Sequence, residues 1–236
     1  MRDDQAVSAA EIAQFDALAP QWWDPAGPMR ELHRMNPLRT AWIADRIHAK
    51  PGGTPATILD MGCGGGILTE SLARAGFTMT GTDGAADAIG VARAHAAASG
   101  LDITYRTGLA EDVLAAGDRF DAVAALEIIE HVPDQAAFLR TLAGLLHPGG
   151  QLFVSTLNRT WQSLAVAKIG AEYIARLLPT GTHTWRQFVR PPELAAMARA
   201  AHLRLTDLSG LLRTPSGTWK LGPQTSINYI AAFTKD

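Results

Sequence analysis

Three groups of residues in this chain combine side-chain types and spacings that can do chemistry. The first is Asp60-Met61-Gly62-Cys63-Gly64-Gly65-Gly66. An acid closes a short apolar run, and glycines at 62, 64 and 66 follow it. Glycine permits a tight turn and lets a ligand come closer to the backbone than any Cβ would allow. Asp60 and the backbone of Gly62 and Gly64 are therefore candidate ligand contacts. The second is Asp83, which ends the next apolar run, Thr78-Met79-Thr80-Gly81-Thr82. An acid at that point can accept both hydroxyls of a ribose. The third is Glu127-Ile128-Ile129-Glu130-His131. If the segment turns helically, Glu127, Glu130 and His131 share one face. Two carboxylates and an imidazole there can ligate a divalent cation such as Mg²⁺ or supply a general base. The same pattern also describes two partly exposed acids and a histidine that satisfies backbone groups.

The glycine spacing separates two kinds of nucleotide site. A dinucleotide fingerprint requires G-x-G-x-x-G, whereas here Ile67 follows Gly66 directly. With an acid on the second strand, the pattern resembles the glycine motif of class I S-adenosylmethionine-dependent methyltransferases. Two further positions then become candidates. The backbone of Leu126 would lie beside the ligand, with its side chain near the adenine. Glu111 or Asp112, after the third apolar run, can accept the adenine amino group.

Alternating elements must position these residues. Apolar runs at Thr57–Met61, Thr78–Thr82, Ile103–Arg106, Phe120–Leu126 and Gln151–Ser155 read as strands. Helical periodicity over Gly65–Ala75, Ala85–Ser99 and Asp134–Leu146 falls between them. Such alternation implies right-handed crossovers, a parallel sheet covered on both faces, and a ligand at the carboxyl ends of the strands. Before this core, Glu11–Leu18 and Leu38–His48 read as helices of an N-terminal cap, the second starting after Pro37. Trp22 and Trp23 either staple the cap to the core or roof a site for an aromatic substrate. After it come helices at Ser163–Leu178 and Pro191–Ala201 and strands at Leu203–Leu208 and Asn228–Thr234. Leu211–Pro223 reads as a hairpin or a lid loop. The expected fold is a Rossmann-like α/β domain over residues 1–236, with a seven-stranded, mostly parallel sheet. Within it, 1–50 form the cap, 57–156 the ligand-binding core, and 160–190 an insertion.

Composition narrows the classes. With 236 residues, of which 47% are hydrophobic, the chain has ample material for one α/β core. A formal charge of −2 gives no reason to expect nucleic-acid binding. The single cysteine, Cys63, excludes an internal disulfide or a cysteine metal cluster. The start lacks the basic-then-apolar order of a signal peptide, and no apolar run is long enough to cross a bilayer. A cytoplasmic protein is expected, with peripheral contact at the inner face of the membrane as an option.

Several longer stretches carry a more specific likeness. They are Trp22-Trp23-Asp24, Leu32-His33-Arg34-Met35-Asn36-Pro37-Leu38-Arg39, the glycine motif, Glu127-Ile128-Ile129-Glu130-His131-Val132-Pro133, Ser155-Thr156-Leu157-Asn158-Arg159, Gly170-Ala171-Glu172-Tyr173-Ile174 and Lys220-Leu221-Gly222-Pro223. Together they span nearly the whole chain, which resembles the ubiquinone-biosynthesis O-methyltransferases. That resemblance implies S-adenosylmethionine as cofactor, with contacts at Arg39, Gly62, Asp83 and Leu126. A guanidinium at Arg39 suits bidentate binding of the methionyl carboxylate. It also implies a polyprenylated phenol or quinol substrate, a divalent metal at Glu127, Glu130 and His131 in some members, and contact with other quinone-biosynthesis proteins. A prenyl-tailed substrate lives in the membrane. Trp161–Phe188, which pairs an apolar face with Lys168, Arg176 and Arg186, is accordingly expected to meet anionic lipids. A soluble small-molecule methyltransferase and a non-catalytic cofactor-binding subunit are the alternatives.

Overall fold

The computed structural model describes residues 9–49, 56–165 and 185–236. Strands β1 (Thr57–Met61), β2 (Thr78–Asp83), β3 (Thr104–Thr107), β4 (Phe120–Leu126), β5 (Leu146–Leu157), β6 (Leu203–Arg213), β7 (Trp219–Gly222) and β8 (Asn228–Lys235) form one sheet. Their order is β3-β2-β1-β4-β5-β8-β6-β7. The first five run parallel, and β8 enters antiparallel between β5 and β6. Strand order reverses beside β1, which has β2 on one flank and β4 on the other. That reversal opens a crevice at the carboxyl ends of β1 and β4.

Side-chain alternation along the strands builds two apolar layers. Ile58, Ala122, Ala124 and Phe153 face one way, onto Trp42, Ile43 and Ile47 of α2 (Arg30–His48) and Leu68 and Leu72 of α3 (Ile67–Arg74). Leu59, Val123, Ala125, Leu152 and Val154 face the other way, onto α5 (Ala110–Ala115), α6 (Gln135–Gly144) and α7 (Pro191–Ala200). Helix α4 (Ala86–Ala98) buries Ile89, Ala92 and Ala96 against Cys63 and Tyr105. Helix α1 (Ala9–Leu18) and the short turn Ala19–Gln21 complete the cap, and Leu18 and Trp22 pack with Ile67, Ala85 and Ala88.

Three elements depart from the sequence reading. The sheet has eight strands rather than seven, because β6 runs on to Arg213 and returns as β7. Leu211–Pro223 is thus a hairpin; its turn is closed by Thr214 N donating to Thr218 O (2.8 Å), with Gly217 at φ +82°. Helix α2 does not begin after Pro37 but contains it. Proline there forfeits one main-chain bond, while on the flanking turns Asn36 donates to Ile67 O (3.0 Å) and Trp42 and Ile43 are buried. Strand β5 begins at Leu146 rather than at the expected Gln151, and it takes up His147-Pro148-Gly149-Gly150 as a register shift opposite Phe120–Ala122. Most of the expected helix Ser163–Leu178 lies outside the described residues.

Candidate active site

Every shortlisted residue except Arg39 lies in or beside a loop at the carboxyl end of a parallel strand. After β1 the chain turns through Gly62, Gly64 and Gly66, at φ +75°, +52° and +89°. A side chain at any of the three would be strained in this left-handed region. The turn is anchored to β2: Gly62 N and Cys63 N donate to Thr82 O at 2.8 and 3.2 Å, and Gly64 N donates to Asp83 Oδ2 at 2.8 Å. The other carboxylate oxygen of Asp83 accepts from Ala85 N at 2.8 Å. Asp83 therefore ties the loops after β1 and β2 together, and its carboxylate keeps lone pairs that suit the hydroxyls of a ribose. Burial pushes its carboxyl up, while the Ala85 and Gly64 N–H groups pull it back.

Asp60 is buried and accepts from Thr69 Oγ1 at 2.6 Å. Burial raises its carboxyl to about 6, against the opposing pull of Thr69 and Arg39. Arg39 reaches the same place from α2. It is 4% exposed, and its Nε has no hydrogen-bond partner. Burial lowers its pKa, and the charges of Glu127 and Asp60 oppose that shift. A buried guanidinium with an unfilled donor suits an anion such as a methionyl carboxylate. The flanking carboxylates fit the positive sulfonium and ammonium of the same ligand. The glycine turn, Asp83 and Arg39 thus suit S-adenosylmethionine. The Cys63 thiol sits in this turn, where burial and then Asp60 and Asp83 hold it well above its ordinary pKa and so disfavour the thiolate.

The segment after β4 turns helically only over Ile129–His131, so Glu127 lies outside that turn. Leu126 is half-buried and packs beside the Trp42–Phe153 layer. Glu127 stands at φ +55°, a strained conformation for a residue with a Cβ. Its Oε1 accepts from Ser155 Oγ at 2.6 Å and Asn228 Nδ2 at 3.4 Å. Glu130, in the turn Ile129–His131, is buried and accepts from Thr156 Oγ1 at 2.8 Å. Ser155 and Thr156 are consecutive on β5, so they point to opposite faces of the sheet. Glu127 goes with the Arg39 face and Glu130 with the other. Among the described residues no group of three or more histidine, cysteine, aspartate or glutamate side chains is arranged to hold a metal. Glu127, Glu130 and His131 are thus neighbours in sequence that the structure does not gather into a ligand set. Glu130 is nonetheless unusual, because burial and then the charge of Glu127 raise its carboxyl to about 8. His131 is 8% exposed, and its N donates to Ile128 O at 2.9 Å.

The third strand's acids separate as well. Asp112 Oδ2 accepts from Leu109 N at 2.9 Å and so caps α5, leaving half-buried Glu111 as the freer of the two. Thr69, Ser155, Thr156 and Asn228, which hold the acids in place, were not on the shortlist. Their partners lie 9 to 101 positions away in the chain, and no local pattern marks such pairs. Trp22 and Trp23 pack against the glycine turn itself, as a staple between cap and core.

This fold, with its glycine turn and an acid at the end of β2, defines a class I S-adenosylmethionine-dependent methyltransferase. A family model described as "Methyltransferase domain" matches residues 32–208. The chain belongs, more narrowly, to the ubiquinone biosynthesis O-methyltransferases. It is 45% identical over 234 residues to a protein of that name from Methylobacterium sp. (strain 4-46), covering 95% of this chain and 94% of the relative. The one from Xanthomonas axonopodis pv. citri is 48% identical over 229 residues, covering 96% and 94%. Among solved structures, the magnesium protoporphyrin IX methyltransferase from Synechocystis PCC 6803 with bound SAH superposes with a TM-score of 0.67. At 18% identity over 97% of this chain and 95% of that one, it speaks for the fold alone.

Proposed function

We propose that this chain methylates aromatic hydroxyls of polyprenylated phenol and catechol intermediates in ubiquinone biosynthesis. The name shared by its near-full-length relatives supports the substrate class. The observation that carries the reading is Arg39, a buried guanidinium with an unfilled donor beside a glycine turn and two carboxylates. When bound, S-adenosylmethionine supplies a methyl group on a sulfonium for in-line displacement. Arg39 binds the methionyl carboxylate, Asp83 accepts the ribose hydroxyls, Glu111 faces the adenine amino group, and Leu126 packs against the ring. Glu127 and Asp60 add negative charge where the cofactor is positive. A phenol ionises near 10, so its proton must be removed for the oxygen to attack. His131, after β4, is the proposed base; Glu130, its neighbour in the chain, is a carboxyl that burial keeps largely protonated at neutral pH. Positioning of the two reactants supplies much of the remaining acceleration.

The prenyl tail confines the acceptor to a bilayer surface, so the enzyme works there, in contact with anionic lipids and other quinone-biosynthesis proteins. Among the described residues no helix is long and apolar enough to cross a membrane.

A turnover assay with a prenylated catechol, a short soluble catechol and no acceptor tests the reading. Methyl transfer to the prenylated compound is expected, and His131→Ala should slow it roughly 10²–10⁴-fold while leaving cofactor affinity intact. Transfer to the soluble catechol alone would point instead to a soluble substrate. Cofactor binding without transfer to either would point to a non-catalytic subunit.

A further inference from the structure

The glycine turn is gripped from two sides. On the sheet side, Thr82 and Asp83 hold Gly62, Cys63 and Gly64 through their main-chain N–H groups. On the cap side the grip comes from side chains outside the cofactor shortlist. The indole of Trp22 lies against Gly64 and Gly65, filling the space that a Cβ on either would need. Trp23 Nε1 donates to Gly65 O at 2.9 Å. The Trp23 ring lies flat on the His95 imidazole, with centroids 3.5 Å apart and planes 4° apart. His95 Nδ1 in turn lies 2.6 Å from Glu70 Oε1. An ionised carboxylate only accepts, so Nδ1 is the donor. Glu70 is 1% exposed, is also paired with Arg74, and its own N donates to Gly66 O at 2.9 Å. The contacts therefore close a ring, Gly65–Trp23–His95–Glu70–Gly66, that begins and ends on adjacent glycines of the turn.

A run of glycines has more conformational freedom to lose on ordering than any other sequence. If the turn is ordered before the cofactor arrives, binding does not bear that cost. We propose that Trp23 is a positioning residue for S-adenosylmethionine: by closing this ring it pre-orders the glycine turn, so that the N-terminal cap sets cofactor affinity. The proposal rests on the cofactor assignment made above. A contact that merely fastened the cap would change stability and leave the affinity of the folded protein alone. A positioning contact changes that affinity and spares the chemical step.

Calorimetry with S-adenosylmethionine and steady-state kinetics on the full chain distinguish the two. Trp23→Ala removes both the stack and the donor, and should raise Kd and the cofactor KM about tenfold. Trp23→Phe keeps a ring on His95 but loses the donor, so it should recover part of the affinity, ending about threefold weaker than wild type. His95→Gln keeps a donor for Glu70 and loses the stacked ring, and should also weaken binding. In each case kcat at saturating cofactor and the KM for the phenolic acceptor should stay within about twofold of wild type, the KM-against-kcat split that pre-ordering requires. Wild-type Kd in folded Trp23→Ala overturns the proposal, as does a fall in kcat together with a rise in acceptor KM. Should Trp23→Ala fail to fold by circular dichroism, the milder pair decides: wild-type affinity in both Trp23→Phe and His95→Gln overturns it. Failure of the wild-type protein to bind the cofactor would overturn the cofactor assignment itself, and the proposal with it.

Discussion

Asp83 has two duties, which makes it the most informative single residue. It holds Gly64 N and Ala85 N, and in the function proposed above it also accepts the ribose hydroxyls. Asp83→Ala should lower S-adenosylmethionine affinity roughly ten- to a hundredfold, the about 1.5–3 kcal/mol carried by hydrogen bonds to a charged group. Calorimetry on the folded variant checks this, and an unchanged Kd would remove Asp83 from the site. Glu130 makes a different prediction, about pH. Its carboxyl stands at about 8 in the folded protein against an ordinary 4.5. The folded state therefore keeps a proton that the unfolded chain has released, and this group's contribution to stability is lost as pH rises from about 4.5 to about 8. Thermal melts across that window should fall more steeply for wild type than for Glu130→Gln; parallel curves would mean Glu130 is not the buried acid described. Asp60 and Asp83 were legible in the sequence because each ends an apolar run before a turn. The separation of Glu127 from Glu130 was not, because Ser155 and Thr156, which set it, lie on another strand. Nor does helical spacing describe a segment that leaves its strand at a positive φ.

Helix α4 shows how the cap and core depend on one another. Its N-cap position is Ala85, which has no side-chain oxygen to cap the first turn. The missing acceptor comes from α1, where Asp16 Oδ1 accepts from Asp87 N at 2.8 Å and Ala88 N at 3.4 Å. Asp16→Ala should therefore act as the loss of a cap, about 1 kcal/mol, and lower Tm by roughly 2–4 °C. Amide exchange should quicken at Asp87 and Ala88 and stay unchanged in β4; uniform quickening, or none, would show that Asp16 does not cap this helix. The alternation of β1 through β5 with their helices was readable because each strand is apolar and each helix keeps its period. Where the reading failed, tertiary context had prevailed over local signals. Pro37 sits inside α2, whose flanking turns are packed on the core, and β7 pairs with an extension of β6 that has little alternation of its own.

At the scale of the whole molecule, the cap is bound to both cofactor loops at once. Ile12 packs on Gly84 after β2, Asp16 caps α4, Trp22 lies on the turn after β1, and His33 Nε2 donates to Trp22 O at 2.9 Å. Cap and core should then unfold together, so that the fluorescence of a variant whose other four tryptophans are replaced by phenylalanine, leaving only Trp22 and Trp23 to report, and its far-ultraviolet circular dichroism give one midpoint. The cofactor should move both signals equally. At about a hundredfold its Kd, S-adenosylmethionine should add about 2.7 kcal/mol, or roughly 5–11 °C for a chain of this size. A dinucleotide should add nothing, because the turn lacks the third glycine spacing that seats a pyrophosphate. A fluorescence midpoint well below that of circular dichroism would mean that the cap melts by itself. In that event the cofactor would shift the fluorescence transition more than the core, since it would be drawing a loose cap down onto the glycine turn rather than filling a site already built.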